Sequence, residues 1–340
     1  MSTTAIESPS KRVKVGHKTI GTHDGTFHCD EALAVFMLRK TSTYAGATVV
    51  RTRDLALLDQ QDIVVDVGAI YDSGLHRYDH HQRGFTEVFG HGFNTKLSSA
   101  GLVYKHFGKE IVASHLGYID SDPRIEQVWL KLYEDFVEAI DGVDNGVTQY
   151  PTDVAPLYRN RTDLSSRVGW LNPVWNQPTS STILNAQFEK ASALAGGEFI
   201  SRLDYIGNAW LPARKLVENA VNERFKYDKS GGIIVFHDFA PWKEHLFNIE
   251  SSLSIPTSEQ PIYVLYPDEK AQWRIQAVPV SSESFQSRKA LPEAWRGVRD
   301  DELSTKTGIP GCIFVHAAGF IGGNRTLEGA LGMARGGLKI

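Results

Sequence analysis

Residues 18–40 read KTIGTHDGTFHCDEALAVFMLRK, and this stretch decides the fold. Lys18–His23 is a short β-type run. Gly25 supplies a turn, and Cys29–Lys40 has the apolar content of a mostly buried helix. The pattern then recurs. Ala47–Thr52 (ATVVRT) reads as a second strand and Asp54–Gln60 as a short helix. Asp62–Val67 (DIVVDV) is an unbroken apolar strand running into Gly68. Such runs suit strands covered on both faces. Leu97–Leu116 and Arg124–Ile140 read as longer amphipathic helices. The alternation predicts an α/β fold whose N-terminal domain is a doubly wound, mainly parallel sheet. A ligand site then belongs at the carboxyl ends of the strands.

Further along, residues 150–180 are rich in Pro, Asn and Ser and read as a connecting loop. Thr182–Lys226 is a long helical segment, broken near Gly196-Gly197. Four strands are expected at Ile233–Phe236, Ile262–Tyr266, Trp273–Val278 and Cys312–His316. Gly322-Gly323-Asn324 then leads into a helix from about Thr326 to Arg335. The expected division is a flexible basic tail at 1–17, a first domain at 18–165, connecting loop and helices at 166–230, and a smaller C-terminal α+β domain at 231–340.

Composition narrows the class. The 340 residues are 41% hydrophobic and 22% charged, a soluble globular profile. Cys29 and Cys312 are too few for a disulfide framework and form no CxxC, so a reducing compartment fits. No apolar run reaches the roughly 18 residues of a membrane span, so no membrane partner is expected. The N-terminus has no apolar h-region, so secretion is not expected. Lys11-Arg12-Val13-Lys14 resembles a short nuclear-import cluster and reads equally as a solvated tail. A mitochondrial presequence is opposed by Glu7 and the single Arg.

The 36 Lys+Arg against 40 Asp+Glu give a formal charge of −4, unevenly placed. Residues 1–20 carry a surplus of three basic groups, and 271–340 carry nine basic against six acidic. The middle, 21–270, is therefore at −10. Overall basicity is excluded as a means of holding nucleic acid. An acidic body points instead to bound cations.

Four clusters fit that idea: His23-Asp24-Gly25-Thr26-Phe27-His28-Cys29-Asp30-Glu31, Asp66-Val67-Gly68, Asp79-His80-His81-Gln82, and Asp141-Gly142-Val143-Asp144-Asn145-Gly146. Each lies where an expected strand or helix ends. Crowded carboxylates repel unless a cation neutralises them. Mixed His and Asp suit a transition metal such as Mn²⁺. A two-metal site needs a bridging carboxylate, and Asp66, leaving the central strand, is the natural bridge. Such a pair can activate hydroxide and clamp an in-line phosphoryl displacement. Taken singly, a strand-end Asp is more often a turn or helix cap. Asp30 has an N-cap reading and Asp79 a turn-holding one, but four such clusters make a wholly structural account poor.

At these residues the chain resembles the DHH phosphoesterase superfamily, for which Asp79-His80-His81 is the naming motif. Over nearly all of 18–340 it looks like the Myg exonuclease family (melanocyte-proliferating-gene proteins). The matching stretches are GTHDGTFHCDEALA at 21–34, VVRTRD at 49–54, DIVVDVG at 62–68, RYDHHQR at 77–83, KLSSAGLVY at 96–104 and DGVDNG at 141–146.

The superfamily implies two Mn²⁺, with Mg²⁺ the alternative, an N-terminal catalytic domain and a C-terminal substrate-binding domain. The family implies a 3′→5′ RNA exonuclease of nucleus and mitochondrion. By that resemblance, His23, His28 and Asp66 hold one metal. Asp30, Asp66, His80 and an acid of the fourth motif, Asp144 or Asp141, hold the other. His81 faces the scissile phosphate beside the catalytic Asp66 and His80. The usual first motif is His-x3-Asp-x-Asp, whereas here the spacing is His-x4-His-x-Asp, so His28 stands where an Asp is expected. Phe314–Arg325 resembles the glycine-rich loop of the DHH-associated domain, with Gly322, Gly323, Asn324, Arg325 and His316 as its substrate-binding residues.

The expected partner is the 3′ end of single-stranded RNA or a short oligonucleotide, and a homodimer is left open. The main alternative is a small-substrate phosphoesterase acting on short oligonucleotides, cyclic dinucleotides or pyrophosphate. A non-catalytic binding protein that retains the fold is opposed by intact clusters at all four positions.

Overall fold

The computed structural model describes residues 17–340; the expected tail and its basic cluster at 11–14 lie outside them. The described chain divides into two compact units, 17–206 and 207–340.

The first unit begins with β1 (Thr19–Thr22), α1 (Cys29–Arg39), β2 (Thr48–Arg51), α2 (Leu55–Leu58) and β3 (Ile63–Val65). Asp54 caps α2 by accepting from the Ala56 and Leu57 amides. Two strands of two residues follow, β4 (Tyr71–Asp72) and β5 (Arg77–Tyr78). The sheet order is β2-β1-β3-β5-β4. Its pairs are parallel except β4 with β5. A separate hairpin is made by β6 (Val88–Gly90) and β7 (Phe93–Lys96).

Next come α3 (Ser99–Leu116), ending on left-handed Gly117, and α4 (Arg124–Leu132). One π-type turn over Tyr133–Val137 leads into α5 (Glu138–Asp144). The helix expected to stop at Ile140 therefore reaches Asp144. The expected loop at 150–180 contains one short helix, α6 (Leu164–Gly169), capped by Asp163.

The long helical segment does not break at Gly196-Gly197. Helix α7 (Ser181–Tyr205) runs through both glycines, and the interruption is a π-type turn at Ile206–Trp210. Gly196 is a contact glycine: a Cβ there would lie 2.1 Å from the Phe36 ring of α1. Its missing side chain lets α1 and α7 pack closely.

The second unit holds α8 (Leu211–Tyr227), β8 (Ile233–Val235), α9 (Lys243–Ser252), β9 (Tyr263–Pro267), β10 (Trp273–Ala277), α10 (Asp300–Thr307), β11 (Cys312–Val315), β12 (Ile321–Asn324) and α11 (Leu327–Lys339). The sheet runs β11-β12-β10-β9-β8, parallel only between β8 and β9. Alternate residues feed two cores. Ile233, Tyr263, Leu265 and Ile275 pack with Trp295 and Met333. Ile234 and Val264 pack with Val217, Trp242 and Leu246. Among the described residues no helix is long and apolar enough to cross a membrane.

One expectation is corrected here. Gly322-Gly323-Asn324 is not a loop before a helix but the body of strand β12, paired on both sides. The glycines clear space: a Cβ on Gly323 would lie 2.6 Å from Nη1 of Arg274 and 3.2 Å from the Phe314 ring. Asn324 is fully buried and ties the turn after β12. Its Nδ2 donates to the Pro310 carbonyl at 3.0 Å and its Oδ1 accepts from the Thr326 amide at 3.0 Å. Arg325 and His316 are exposed, and His316 Nδ1 accepts from the Ala318 amide.

Candidate metal centre

Three parallel strands deliver the site. β1 ends at Thr22 and is followed by His23; β3 ends at Val65 and is followed by Asp66; β5 ends at Tyr78 and is followed by Asp79-His80-His81. From β1 the chain goes outward to β2, then returns to β3 on the other side. Strand order reverses between β1 and β3, the place where open parallel sheets leave a crevice. A cavity of about 1090 Å³ opens there, lined among others by His23, His28, Asp30, Asp66, His80 and Asp144.

Asp66 sits at the centre in a left-handed backbone conformation, φ 58°, which Asp tolerates better than most residues. Its amide donates to the Tyr78 carbonyl, which fixes the turn between β3 and β5. Its two oxygens face different histidines. Oδ2 is 3.3 Å from His23 Nε2 and Oδ1 is 3.2 Å from His80 Nε2. His80 Nε2 is also 3.2 Å from Asp144 Oδ2, and His23 Nε2 is 3.2 Å from Glu31 Oε1. Asp30, fully buried on the first turn of α1, accepts from Ser99 Oγ at 2.7 Å through one oxygen.

Asp79 has a different task. Its Oδ1 accepts from the His80 and His81 amides and from His81 Nδ1 at 2.7 Å, and its Oδ2 accepts from the Ala69 amide. A carboxylate only accepts, so His81 Nδ1 carries a proton, and the same Asp79 contact raises the His81 pKa and favours a second proton on Nε2. The exposed His81 ring lines the cavity with that nitrogen available.

Burial alone would depress the pKa of His23, but the Asp66 and Glu31 carboxylates carry it to about 10. His80 is likewise lowered by burial and raised by Asp66, Asp30 and Asp144, to about 9. Burial and neighbouring acids push Glu31 to about 8 and Asp144 to about 9, and raise Asp30. Asp66 moves the other way: the two histidines hold it low against its burial. Burial acts most strongly on every one of these groups, and four carboxylates crowded with two histidines add charge interactions that a bound cation would help to balance.

The side chains fit a divalent cation. Among the described residues, Asp30 Oδ1 and His80 Nδ1 are buried without a hydrogen-bond partner, and Asp66 Oδ1 and His80 Nε2 have only ion-pair contacts of 3.2 Å, a costly state for polar atoms. The donor separations of 3.2–3.3 Å match neighbouring ligands in an octahedral shell, about 3.1 Å apart for bonds of roughly 2.2 Å. Three overlapping groups emerge: His23, His28, Glu31 and Asp66; Asp66, Asp79, His80 and His81; and Asp30, His80 and Asp144.

Of the residues expected in the site, the fold gathers His23, His28, Asp30, Asp66, His80, His81 and Asp144 around the cavity. Asp141, the other fourth-motif choice, is not among the grouped residues. It is fully buried one turn earlier on α5 and accepts from the Ser98 amide and hydroxyl, the Gly101 amide and the Tyr133 hydroxyl. Those four donors make it the anchor for the N-terminus of α3. Gly322, Gly323, Asn324, Arg325 and His316 belong to the second unit.

Glu31 belongs to the first cluster but has no ligand role assigned from the sequence; the fold groups its carboxylate with His23, His28 and Asp66, and its place three residues after His28 is the capping-box spacing. Sequence reasoning missed Asn172, which accepts from the Phe27 amide at 3.0 Å and donates to its carbonyl at 2.9 Å, pinning the loop between His23 and His28. Nothing in the sequence signals a contact across that distance.

Comparison with known proteins gives a consistent family. The MYG1_exonuc family model, described as an uncharacterised protein family, matches residues 19–338. The human protein named MYG1 exonuclease is 53% identical over 322 residues, covering 93% of this chain and 84% of its own. The MYG1 protein of Dictyostelium discoideum is 49% identical over 316 residues, covering 93% of this chain and 95% of its own. Among solved structures, a crystal structure of exonuclease RecJ bound to manganese covers 78% of this chain and 79% of its own. Its identity is 14% and its TM-score 0.21.

Proposed function

The chain belongs to the MYG1 exonuclease family, and from that premise we propose that it is a metal-dependent 3′→5′ RNA exonuclease working through two divalent ions, Mn²⁺ foremost and Mg²⁺ as the alternative. One observation carries the reading. His23 and His80 each point a ring nitrogen at one oxygen of Asp66 where β1, β3 and β5 end, beside the buried and unsatisfied Oδ1 of Asp30. Asp30, Asp66, His80 and Asp144 are the residues to hold one ion. His23 and Asp66, with a further donor from the first motif, are those to hold the other. When bound, such a pair supplies Lewis-acid polarisation of the phosphoryl group and activation of water.

The protein's own groups do the rest. Ser99 fixes Asp30, so that its other oxygen faces the cavity. Asp79 fixes the His81 ring through Nδ1 and favours its protonated form, whose Nε2–H can donate to a phosphate oxygen. The buried walls keep the carboxylates close against their mutual repulsion, preorganised for cations. In the second unit, the exposed Arg325 and His316 are proposed substrate contacts. The same reading places the protein in nucleus or mitochondrion, with a single-stranded 3′ end as its ligand.

The test is stepwise digestion of RNA labelled at either end, with Mn²⁺, beside DNA and dinucleotides. Release of nucleoside monophosphates from the 3′ end of long RNA is the expected result. Cleavage confined to dinucleotides or pyrophosphate would favour a small-substrate phosphoesterase instead.

A further inference from the structure

We propose that Glu31, and not His28, completes the first metal site, so that one ion is held by His23, Glu31 and Asp66. The proposal rests on the two-ion reading above. It starts from an anomaly in the sequence: His28 stands where a carboxylate is expected, which would leave that site with two imidazoles and a single, shared acid.

The structure supplies the missing acid from the next helical turn. Glu31 is fully buried at the start of α1. Side chains on a helix lean toward its N-terminus, so the carboxylate of residue 31 returns to the level of residue 28. There its two oxygens accept from the His28 amide at 2.8 and 3.0 Å, and Oε1 lies 3.2 Å from His23 Nε2. With His23 Nε2 and Asp66 Oδ2 3.3 Å apart, the three donors repeat the spacing of the other half-site. There His80 Nε2 stands 3.2 Å from both Asp66 and Asp144.

A buried carboxylate costs several kcal/mol unless paired, and the partners of Glu31 are the His28 amide and the His23 ring. A cation between Glu31, His23 and Asp66 is a further one, and lone pairs remain for it. His28 also has a ring nitrogen in this group, but its side chain is exposed where that of Glu31 is buried, its ring centroid lies 5.8 Å from that of His23, and it brings no charge to balance a cation. The Glu31 assignment also restores two carboxylates and one imidazole to the first site, a harder donor set that suits Mn²⁺ or Mg²⁺.

The experiment is Mn²⁺ titration calorimetry, with elemental analysis after desalting, on four full-length proteins: wild type, Glu31→Gln, His28→Asn and Asp66→Asn. Circular dichroism checks folding of each. Two Mn²⁺ per chain are expected for wild type and for His28→Asn, with affinities within about tenfold of each other. Glu31→Gln is expected to retain one, and Asp66→Asn none tightly. Two ions retained by Glu31→Gln, or one lost from His28→Asn, overturns the proposal. Should Glu31→Gln fail to fold, Glu31→Asp keeps the charge but shortens its reach. One of the two affinities should then fall at least tenfold, and two unchanged affinities would overturn the assignment. Wild-type protein that binds fewer than two ions would sink the two-ion reading itself, a result visible before any variant is compared.

Discussion

Asp66 is the residue on which the proposed chemistry converges. It occupies the end of β3, adopts a left-handed conformation, and turns one oxygen to each of two histidines. Asp66→Asn keeps the shape and removes the charge. Metal affinity should fall by more than a hundredfold with little change in far-UV circular dichroism; unchanged Mn²⁺ binding would remove Asp66 from the site.

The pair Asp141 and Asp144 shows what a sequence conveys at this scale. Both acids end the same helix in the same motif, so residue type cannot separate them. Depth does: Asp141 meets four donors from Ser98, Gly101 and Tyr133, whereas Asp144 meets His80. Asp141→Ala strands those donors in the interior, at a cost of about 1–3 kcal/mol for each unsatisfied group. Chemical denaturation should therefore show a loss of at least about 3 kcal/mol. A loss under 1 kcal/mol would mean that Asp141 is not the anchor described.

At the scale of elements, the glycines of α7 give a sharp contrast. Gly196 faces Phe36 with no room for a methyl group, whereas a Cβ on its neighbour Gly197 meets nothing within 4 Å. Overpacking costs about 1–3 kcal/mol, against roughly 1 kcal/mol gained from helix propensity. Gly196→Ala should therefore destabilise and Gly197→Ala should stabilise by about 0.5–1 kcal/mol, read from urea midpoints. Equal effects of the same sign would contradict the α1–α7 contact.

The same residues explain what could be read in advance. A Gly-Gly pair reads as a helix break because propensity is local, while the close approach of Phe36 is not. The apolar runs at β1 and β3 are long enough to show their character. β4 and β5, two residues each, are not, although β5 carries Asp79-His80-His81 into the site. β12 escaped for another reason: Gly322 and Gly323 have low β propensity, and only the crossing of Arg274 and Phe314 calls for them. The clusters that line the site were visible because Asp and His at element ends are a pattern of residue types. Glu31 stood in the first cluster without a role, because the one proposed for it depends on the side-chain direction of one helical turn.

For the whole molecule the uneven charge becomes intelligible. The net −4 excludes binding by overall basicity, yet part of the −10 between residues 21 and 270 is the group Asp30, Glu31, Asp66, Asp79 and Asp144. Two divalent ions would bring the formal charge near zero. Ions that bind only the folded state stabilise it by about 2.7 kcal/mol per site at a hundredfold excess over Kd. For a domain of roughly 200 residues, that is an upward shift of about 5–10 °C in Tm per site. Chelation should reverse the shift, and Asp66→Asn should show none. A wild-type Tm that is indifferent to Mn²⁺ and to chelator would argue against a metal centre in the folded protein.

The account turns on two cations sharing Asp66, and anomalous diffraction at the Mn absorption edge from crystals grown with Mn²⁺ tests it most directly. Two peaks are expected, each within bonding distance of an Asp66 oxygen, one beside His23 and the other beside His80. No peak at Asp66, or a single peak coordinated elsewhere, would contradict it.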